Sequence, residues 1–80
     1  MEGIFQKIDN SLTVSKVWFK NRSIFVEMNT GEVISKSIEL YPHLRKGTLQ
    51  QWEHFELWDG GKWIHWEELD EDLSAEGFLT

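Results

Sequence analysis

The residues of this 80-residue chain with chemistry to offer are three histidines, a run of carboxylates near the C-terminus and five tryptophans. His43, His54 and His65 recur every 11 residues. That spacing puts them on different elements and lacks the close pairs of zinc sites. His65 sits between Trp63 and Trp66, with aromatic rather than acidic neighbours. The three are therefore expected to be satisfied structural histidines, and no metal is assigned to them. Cysteine is absent, which excludes disulfides and thiolate metal sites. Asp70-Glu71-Asp72 could hold a hard cation but lacks the spaced oxygen ligands and glycine of a calcium loop. The simpler expectation is that Asp72 caps a helical turn while its neighbours stay solvated.

No catalytic constellation emerges. Paired carboxylates for acid–base work need one raised pKa in a dry pocket, and a domain of this size buries only roughly 60–65% of its unfolded surface. Nothing resembles a serine or cysteine triad. Gly60-Gly61 is followed by neither a helix nor a Gly-Lys-Ser/Thr signature, so it is a turn and not a phosphate loop. The expectation is a chain with no catalytic residue and no cofactor.

Charge is distributed unevenly. The formal net charge of −6 lies entirely in residues 67–80, because Glu67, Glu68, Asp70, Glu71, Asp72 and Glu76 have no basic residue among them. The preceding 66 residues carry eight acidic and eight basic side chains. An acidic block repels phosphates and suits a basic protein or a cation. The plainer reading is a solvated end that keeps a small protein soluble. The tryptophans Trp18, Trp52, Trp58, Trp63 and Trp66 are too many for full burial in so small a core. Some must fill it, and at least one is expected to face outward as an interface anchor. Trp58 and Trp63 would occupy different faces if paired across a hairpin, or lie side by side if the register slips by one.

The elements that must position these residues can be read from periodicity. Residues 12–20 are rich in β-branched and aromatic side chains, with Leu12, Val14 and Trp18 on one face. Asn21-Arg22 is a turn. Ile24, Val26 and Met28 alternate in the next strand, and Asn29-Thr30-Gly31 turns again. Ile34, Ile38 and Leu40 align in a third strand, completing an antiparallel meander. Pro42 opens a helical turn that Gly47 ends. Thr48 and Gln51 have the form of a capping box that starts a helix from Leu49 to about His54. That helix buries Leu49 and Trp52 together. Asp59-Gly60-Gly61 joins two strands into a hairpin. Leu73, Phe78 and Leu79 pin the C-terminal turn back on the sheet. The expected fold is α+β: one domain over residues 1–80, with an antiparallel sheet of about four or five strands and one short helical segment on it. No apolar run approaches the ~20 residues of a membrane helix. Residues 1–7 lack a signal-peptide layout, so the expected location is the cytoplasm.

Two segments carry a family resemblance. Residues 41–52, Tyr41-Pro42-His43-Leu44-Arg45-Lys46-Gly47-Thr48-Leu49-Gln50-Gln51-Trp52, and the ending Trp63-Ile64-His65-Trp66-Glu67-Glu68-Leu69-Asp70-Glu71-Asp72-Leu73-Ser74-Ala75-Glu76-Gly77-Phe78-Leu79 resemble bacterial domain-of-unknown-function family 2442. The likeness spans about residues 12–79. Leu69-Asp70-Glu71-Asp72-Leu73-Ser74 is its most specific part. The chain departs from the family pattern at Gly47-Thr48-Leu49, where relatives often have Ala-Thr-Pro, and at Glu67, where they often have Pro. The resemblance implies a small α+β cytoplasmic domain, often encoded beside another small protein in a layout like a toxin–antitoxin pair. Some longer relatives add a helix-turn-helix segment. This chain ends at Thr80, so no such DNA reader is expected.

The functional expectation is a non-enzymatic interaction module, the antitoxin-like half of a two-protein pair. Trp58, Trp63 and Trp66 would make the contact. Glu67, Glu68, Asp70 and Glu71 would steer a small basic partner. A homodimer through an exposed edge strand is the other association expected; neither a membrane nor nucleic acid is expected as a direct partner. The alternative is a ligand- or nucleic-acid-sensing domain using a basic strip of Lys16, Lys20, Arg22 and Lys36, with aromatic residues interleaved.

Overall fold

A computed structural model describes residues 12–79; the signal-peptide reading of residues 1–7 lies outside them. Strands β1 (Val14–Lys20), β2 (Ser23–Met28) and β3 (Val33–Ser37) form an antiparallel meander in that order. Asn21 and Arg22 have φ of 51° and 61°. Positive φ at both positions makes the two-residue turn whose twist matches a hairpin. Ile24, Val26 and Met28 are all buried, as their alternation predicts.

The face expected for Leu12, Val14 and Trp18 is broken by a bulge. Val14 pairs with Met28 but Lys16 with Glu27, so Ser15 is an extra residue. Beyond it the alternation shifts by one. Val17 and Phe19 turn inward opposite Val26 and Ile24, and Trp18 turns outward onto its partner Phe25. The two rings stack at 5.6 Å. The third strand also ends sooner than its periodicity suggests. Ser37 accepts a hydrogen bond from the Glu39 N–H, turning Ile38–Leu40 into a 3-10 helix. Ile38 is buried and Leu40 exposed, so the expected Ile34–Ile38–Leu40 line does not form.

Helix α1 (Pro42–Arg45) begins on Pro42, and α2 (Leu49–Glu53) begins on the predicted capping box. The Gln51 N–H donates to the Thr48 hydroxyl at 3.2 Å, and the Thr48 N–H donates to the Gln51 side chain at 3.0 Å. Trp52 is buried, but Leu49 is exposed. Helix α2 packs on β1 through Trp52, whose ring lies 5.8 Å from Phe19, and a five-residue helix offers no second inward position. Gly47 follows α1 for lack of space. A Cβ there would lie 2.8 Å from Leu69 Cδ1 and 3.1 Å from Trp52 Nε1.

Strands β4 (Glu56–Trp58), β5 (Trp63–Trp66) and β6 (Glu71–Ser74) form a second antiparallel sheet. The α+β class is as expected. The strands, however, number six among the described residues and are divided between two three-stranded sheets. Strand β6 is the one the periodicity did not reveal, because acidic residues are poor strand formers in isolation. Asp72 therefore lies in a strand and caps no turn. Ser74 does that instead, accepting from the Gly77 N–H at 2.9 Å ahead of a 3-10 helix, Glu76–Leu79. Phe78 is buried in this turn and Leu79 is exposed.

One core joins the two sheets. It comprises Val14, Ile24, Val26, Met28, Ile38, Leu44, Trp52, Ile64, Trp66, Ala75 and Phe78. Two indoles tie its layers together: Trp52 Nε1–H donates to the Leu44 carbonyl at 2.6 Å, and Trp66 Nε1–H to the Trp52 carbonyl at 2.8 Å. Buried indoles are normally satisfied in this way. No helix among the described residues is long and apolar enough to cross a membrane.

Candidate functional site

Directly opposed residues of an antiparallel pair share a face, and residues two apart along a strand share it too. In the second sheet Trp58 pairs with Trp63 and Glu56 with His65. Trp63 in turn pairs with Ser74, and His65 with Asp72. One face therefore presents Glu56, Trp58, Trp63, His65, Asp72 and Ser74. The opposite face presents Leu57, Ile64, Trp66 and Leu73, of which Ile64 and Trp66 are buried in the core. The expectation that paired Trp58 and Trp63 would part is thus corrected: they are directly paired, lie on one face and are both exposed, at 46% and 44%. Trp66 is 1% exposed and is withdrawn from the contact surface.

Between these tryptophans and the acidic residues lies His65. Its Nδ1 is 2.5 Å from Asp72 Oδ1 and its Nε2 is 2.9 Å from Glu67 Oε1. Trp58 covers the imidazole, with ring centroids 3.8 Å apart and planes 23° apart. The Trp58 indole is itself oriented, since its N–H donates to Glu56 Oε1 at 2.9 Å. The neighbours of His65 are therefore acidic as well as aromatic, contrary to the sequence-based expectation. Asp72 arrives from across the sheet, where no local pattern could reveal it. An ionised carboxylate only accepts hydrogen bonds, so two carboxylates on one imidazole require both nitrogens to donate, which defines the cation.

The hydrogen bonds that His65 donates to Glu67 and then to Asp72 raise it above the usual histidine pKa of 6.5, with partial burial acting the other way. The linkage has a definite sign. Its stabilisation is complete below pH 6.5, where folded and unfolded chains are both protonated there. It is lost as pH rises through the folded value, because the folded state then holds the extra proton. The urea midpoint is expected to fall as pH climbs from about 6 past the histidine range, and His65→Gln should flatten that decline. The His65 ring protons, followed by NMR, should titrate with a midpoint above 6.5; a midpoint at or below it would contradict the clamp.

The acidic run is part of the fold and not a free tail. Glu67 is 86% exposed despite its bond to His65. Glu68 faces His54 at 3.5 Å, both side chains being more than half exposed. Asp70 takes a positive φ of 53° in the turn between β5 and β6, and its carbonyl accepts from His43 Nδ1 at 2.8 Å. Glu71 lies 3.6 Å from His43 with its side chain only 20% exposed. Burial, followed by the charge of Glu71, pushes Tyr41 above its usual 10.0. All three histidines thus meet oxygens of residues 67–72. Of the four proposed steering residues, Glu67, Glu68 and Asp70 remain exposed and Glu71 is turned inward. No group of three or more histidine, aspartate or glutamate residues converges as metal ligands among the described residues.

The basic strip is not continuous. Lys16 and Lys20 share the outer face of the first sheet with Trp18, whereas Lys36 pairs with Ile24 and lies on the inner face. Arg22 is occupied: its Nε donates to Glu39 at 2.7 Å, its guanidinium sits 5.4 Å from the Trp52 ring, and it reaches the Arg45 carbonyl.

Comparison with known proteins agrees with this architecture. A crystal structure of a protein of unknown function from Rhodospirillum rubrum ATCC 11170 is similar, with a TM-score of 0.75 and 25% identity. The likeness covers 88% of this chain and 87% of that one. No curated protein matches the chain. Residues 14–80 match the family described as "Protein of unknown function (DUF2442)", spanning both sheets and the Trp58–His65–Asp72 cluster, and the chain therefore belongs to the DUF2442 family.

Proposed function

We propose that this chain is a non-enzymatic protein-interaction module, the antitoxin-like member of a two-protein pair, and that it engages a small basic protein. The observation that carries the reading is the outer face of the second sheet. Two adjacent tryptophans are nearly half exposed there, beside Glu56, Glu67 and Asp72. Tryptophans scattered singly over a small surface would need no explanation. A cross-strand pair on one face, with acidic residues around it, has the composition of an interface centre with a polar rim. The mechanism is occlusion. Exposed carboxylates at Glu67, Glu68 and Asp70 steer the partner's approach, and Trp58 and Trp63 make the desolvated contact.

The test is capture from a bacterial lysate with the full chain as bait, at low and at high salt. Surface electrostatics act over about 30 Å at 0.01 M ionic strength and about 3 Å at 1 M. The expected result is a small basic protein retained at low salt and released at high salt. Nucleic acid as the retained species would overturn the reading.

That outcome would favour the second reading, a nucleic-acid-sensing domain. The observation supporting it is the stacked Trp18–Phe25 pair on the outer face of the first sheet, with Lys16 and Lys20 on the same strand face. An exposed tryptophan flanked by lysines can stack a base and hold phosphates.

A further inference from the structure

We propose that the outer face of the second sheet is a guanidinium-binding site, in which an arginine side chain of the partner lies over Trp58 and Trp63 between the carboxylates of Glu56, Glu67 and Asp72. The proposal rests on the interaction reading above and names the chemistry of the group that would occupy it.

The first observation is that Trp58 is preset. One side of its ring lies on His65, and its indole N–H is held by Glu56. The residue as a whole is still 46% exposed. A ring immobilised in this way needs no further ordering to accept a flat cation, so little conformational entropy is lost on binding. The paired Trp63 widens the same aromatic floor.

The second observation is charge. Glu56 and Asp72 both pair with His65 across the sheet, one from each side. They therefore stand two strand spacings apart, about 10 Å. Glu67 joins them from the end of β5. The cluster holds three carboxylates and one imidazolium, leaving an excess of negative charge. The described hydrogen bonds of Asp72 and Glu67 use Oδ1 and Oε1 only. Among the described residues their second oxygens carry no further hydrogen bond.

Such a floor and rim select arginine over other groups. Phosphates and carboxylates are repelled by the rim. A lysine ammonium satisfies the charge, but it is a compact, strongly hydrated point with no flat face. A guanidinium stacks on indole and offers a fork of N–H donors that matches carboxylate oxygens. His65 acts here as a positioning residue: its two hydrogen bonds hold Glu67 and Asp72 in line and its ring supports Trp58.

The test uses N-acetyl-arginine amide and N-acetyl-lysine amide as probes on the full chain. It follows the five indole N–H signals by NMR, with Trp18, Trp52 and Trp66 as internal references. The arginine probe is expected to move the Trp58 and Trp63 signals and to bind about threefold more tightly than the lysine probe, the scale of an exposed stacked cation. Glu56→Gln, which keeps an acceptor for the indole but removes the charge, should weaken the arginine probe at low salt and leave the reference signals in place. Equal binding of both probes, or shifts at Trp18 as large as those at Trp58, would overturn the site. Capture of a basic protein through Trp58 and Trp63 with no arginine preference would also overturn it while leaving the interaction reading intact. Arginine preference with no captured partner would support the site and count against the paired-protein reading.

Discussion

Replacing Trp66 by alanine is expected to remove about 3–5 kcal/mol of stability, the usual cost of truncating a buried large aromatic. An 80-residue chain has roughly 4–12 kcal/mol in all, so the variant should lose between about a quarter and all of its stability. The reason is specific to this core. Trp66 is 1% exposed and its indole N–H is bonded to the Trp52 carbonyl, and Trp52 is bonded in the same way to Leu44. Loss of Trp66 leaves a cavity between β5 and α2 and removes the partner of a backbone carbonyl. Trp66→Phe separates the two effects, since it keeps much of the ring and loses the donor. It should cost less, about 1–3 kcal/mol for the unsatisfied carbonyl plus a small volume term. Urea unfolding followed by circular dichroism measures both. A Trp66→Ala loss below about 1 kcal/mol would mean that Trp66 is not the core residue described here.

Gly61→Ala is expected to be the more damaging of two neighbouring glycine substitutions. Gly61 has φ of 98°, and a Cβ there would lie 2.6 Å from the Val14 carbonyl oxygen. That oxygen belongs to the backbone of β1, so it cannot rotate away. The turn between β4 and β5 and the start of β1 would have to separate at the place where the two sheets meet. Strained positive φ costs about 1–3 kcal/mol, and overpacking adds about 1–3 kcal/mol. Gly60 provides the control. Its φ is 67°, but nothing among the described residues lies within 4 Å of its Cβ position, so Gly60→Ala should show only the left-handed penalty of about 1–2 kcal/mol. Equal losses for the two variants would show that the close approach to Val14 is not a constraint.

Local chemistry was legible in the sequence wherever it stayed local. The Thr48–Gln51 capping box, the Asn21-Arg22 turn, Pro42 at the head of a helix and the Ile24–Val26–Met28 face all follow from residues a few positions apart. What escaped depends on distant partners. The bulge at Ser15 leaves no compositional mark, yet it decides that Trp18 faces out and Phe19 faces in. Trp63-Ile64-His65-Trp66 is aromatic or apolar at nearly every position, so alternation alone could not choose which face enters the core. The two acidic residues of β6 each meet a histidine, Asp72 on the outer face at His65 and Glu71 on the other face at His43, and its pairing with β5 is visible only once the chain has folded. The same fact hid the candidate site. Glu67 and Asp72 are read from sequence as solvated charge; Glu67 lies only two residues from His65, but Asp72 reaches the ring only when β5 and β6 pair.

Trp58 and Trp63 are the proposed contact surface. The most direct measurement compares capture of a small basic protein from bacterial lysate by the wild-type chain, the Trp58→Ser/Trp63→Ser double variant and Trp18→Ser, each first shown by circular dichroism to be folded. The double variant should lose capture by at least about thirtyfold, the scale of a lost interface hot spot, while Trp18→Ser captures as well as wild type. Undiminished capture by the double variant, or an equal loss in Trp18→Ser, would contradict the assignment of that face.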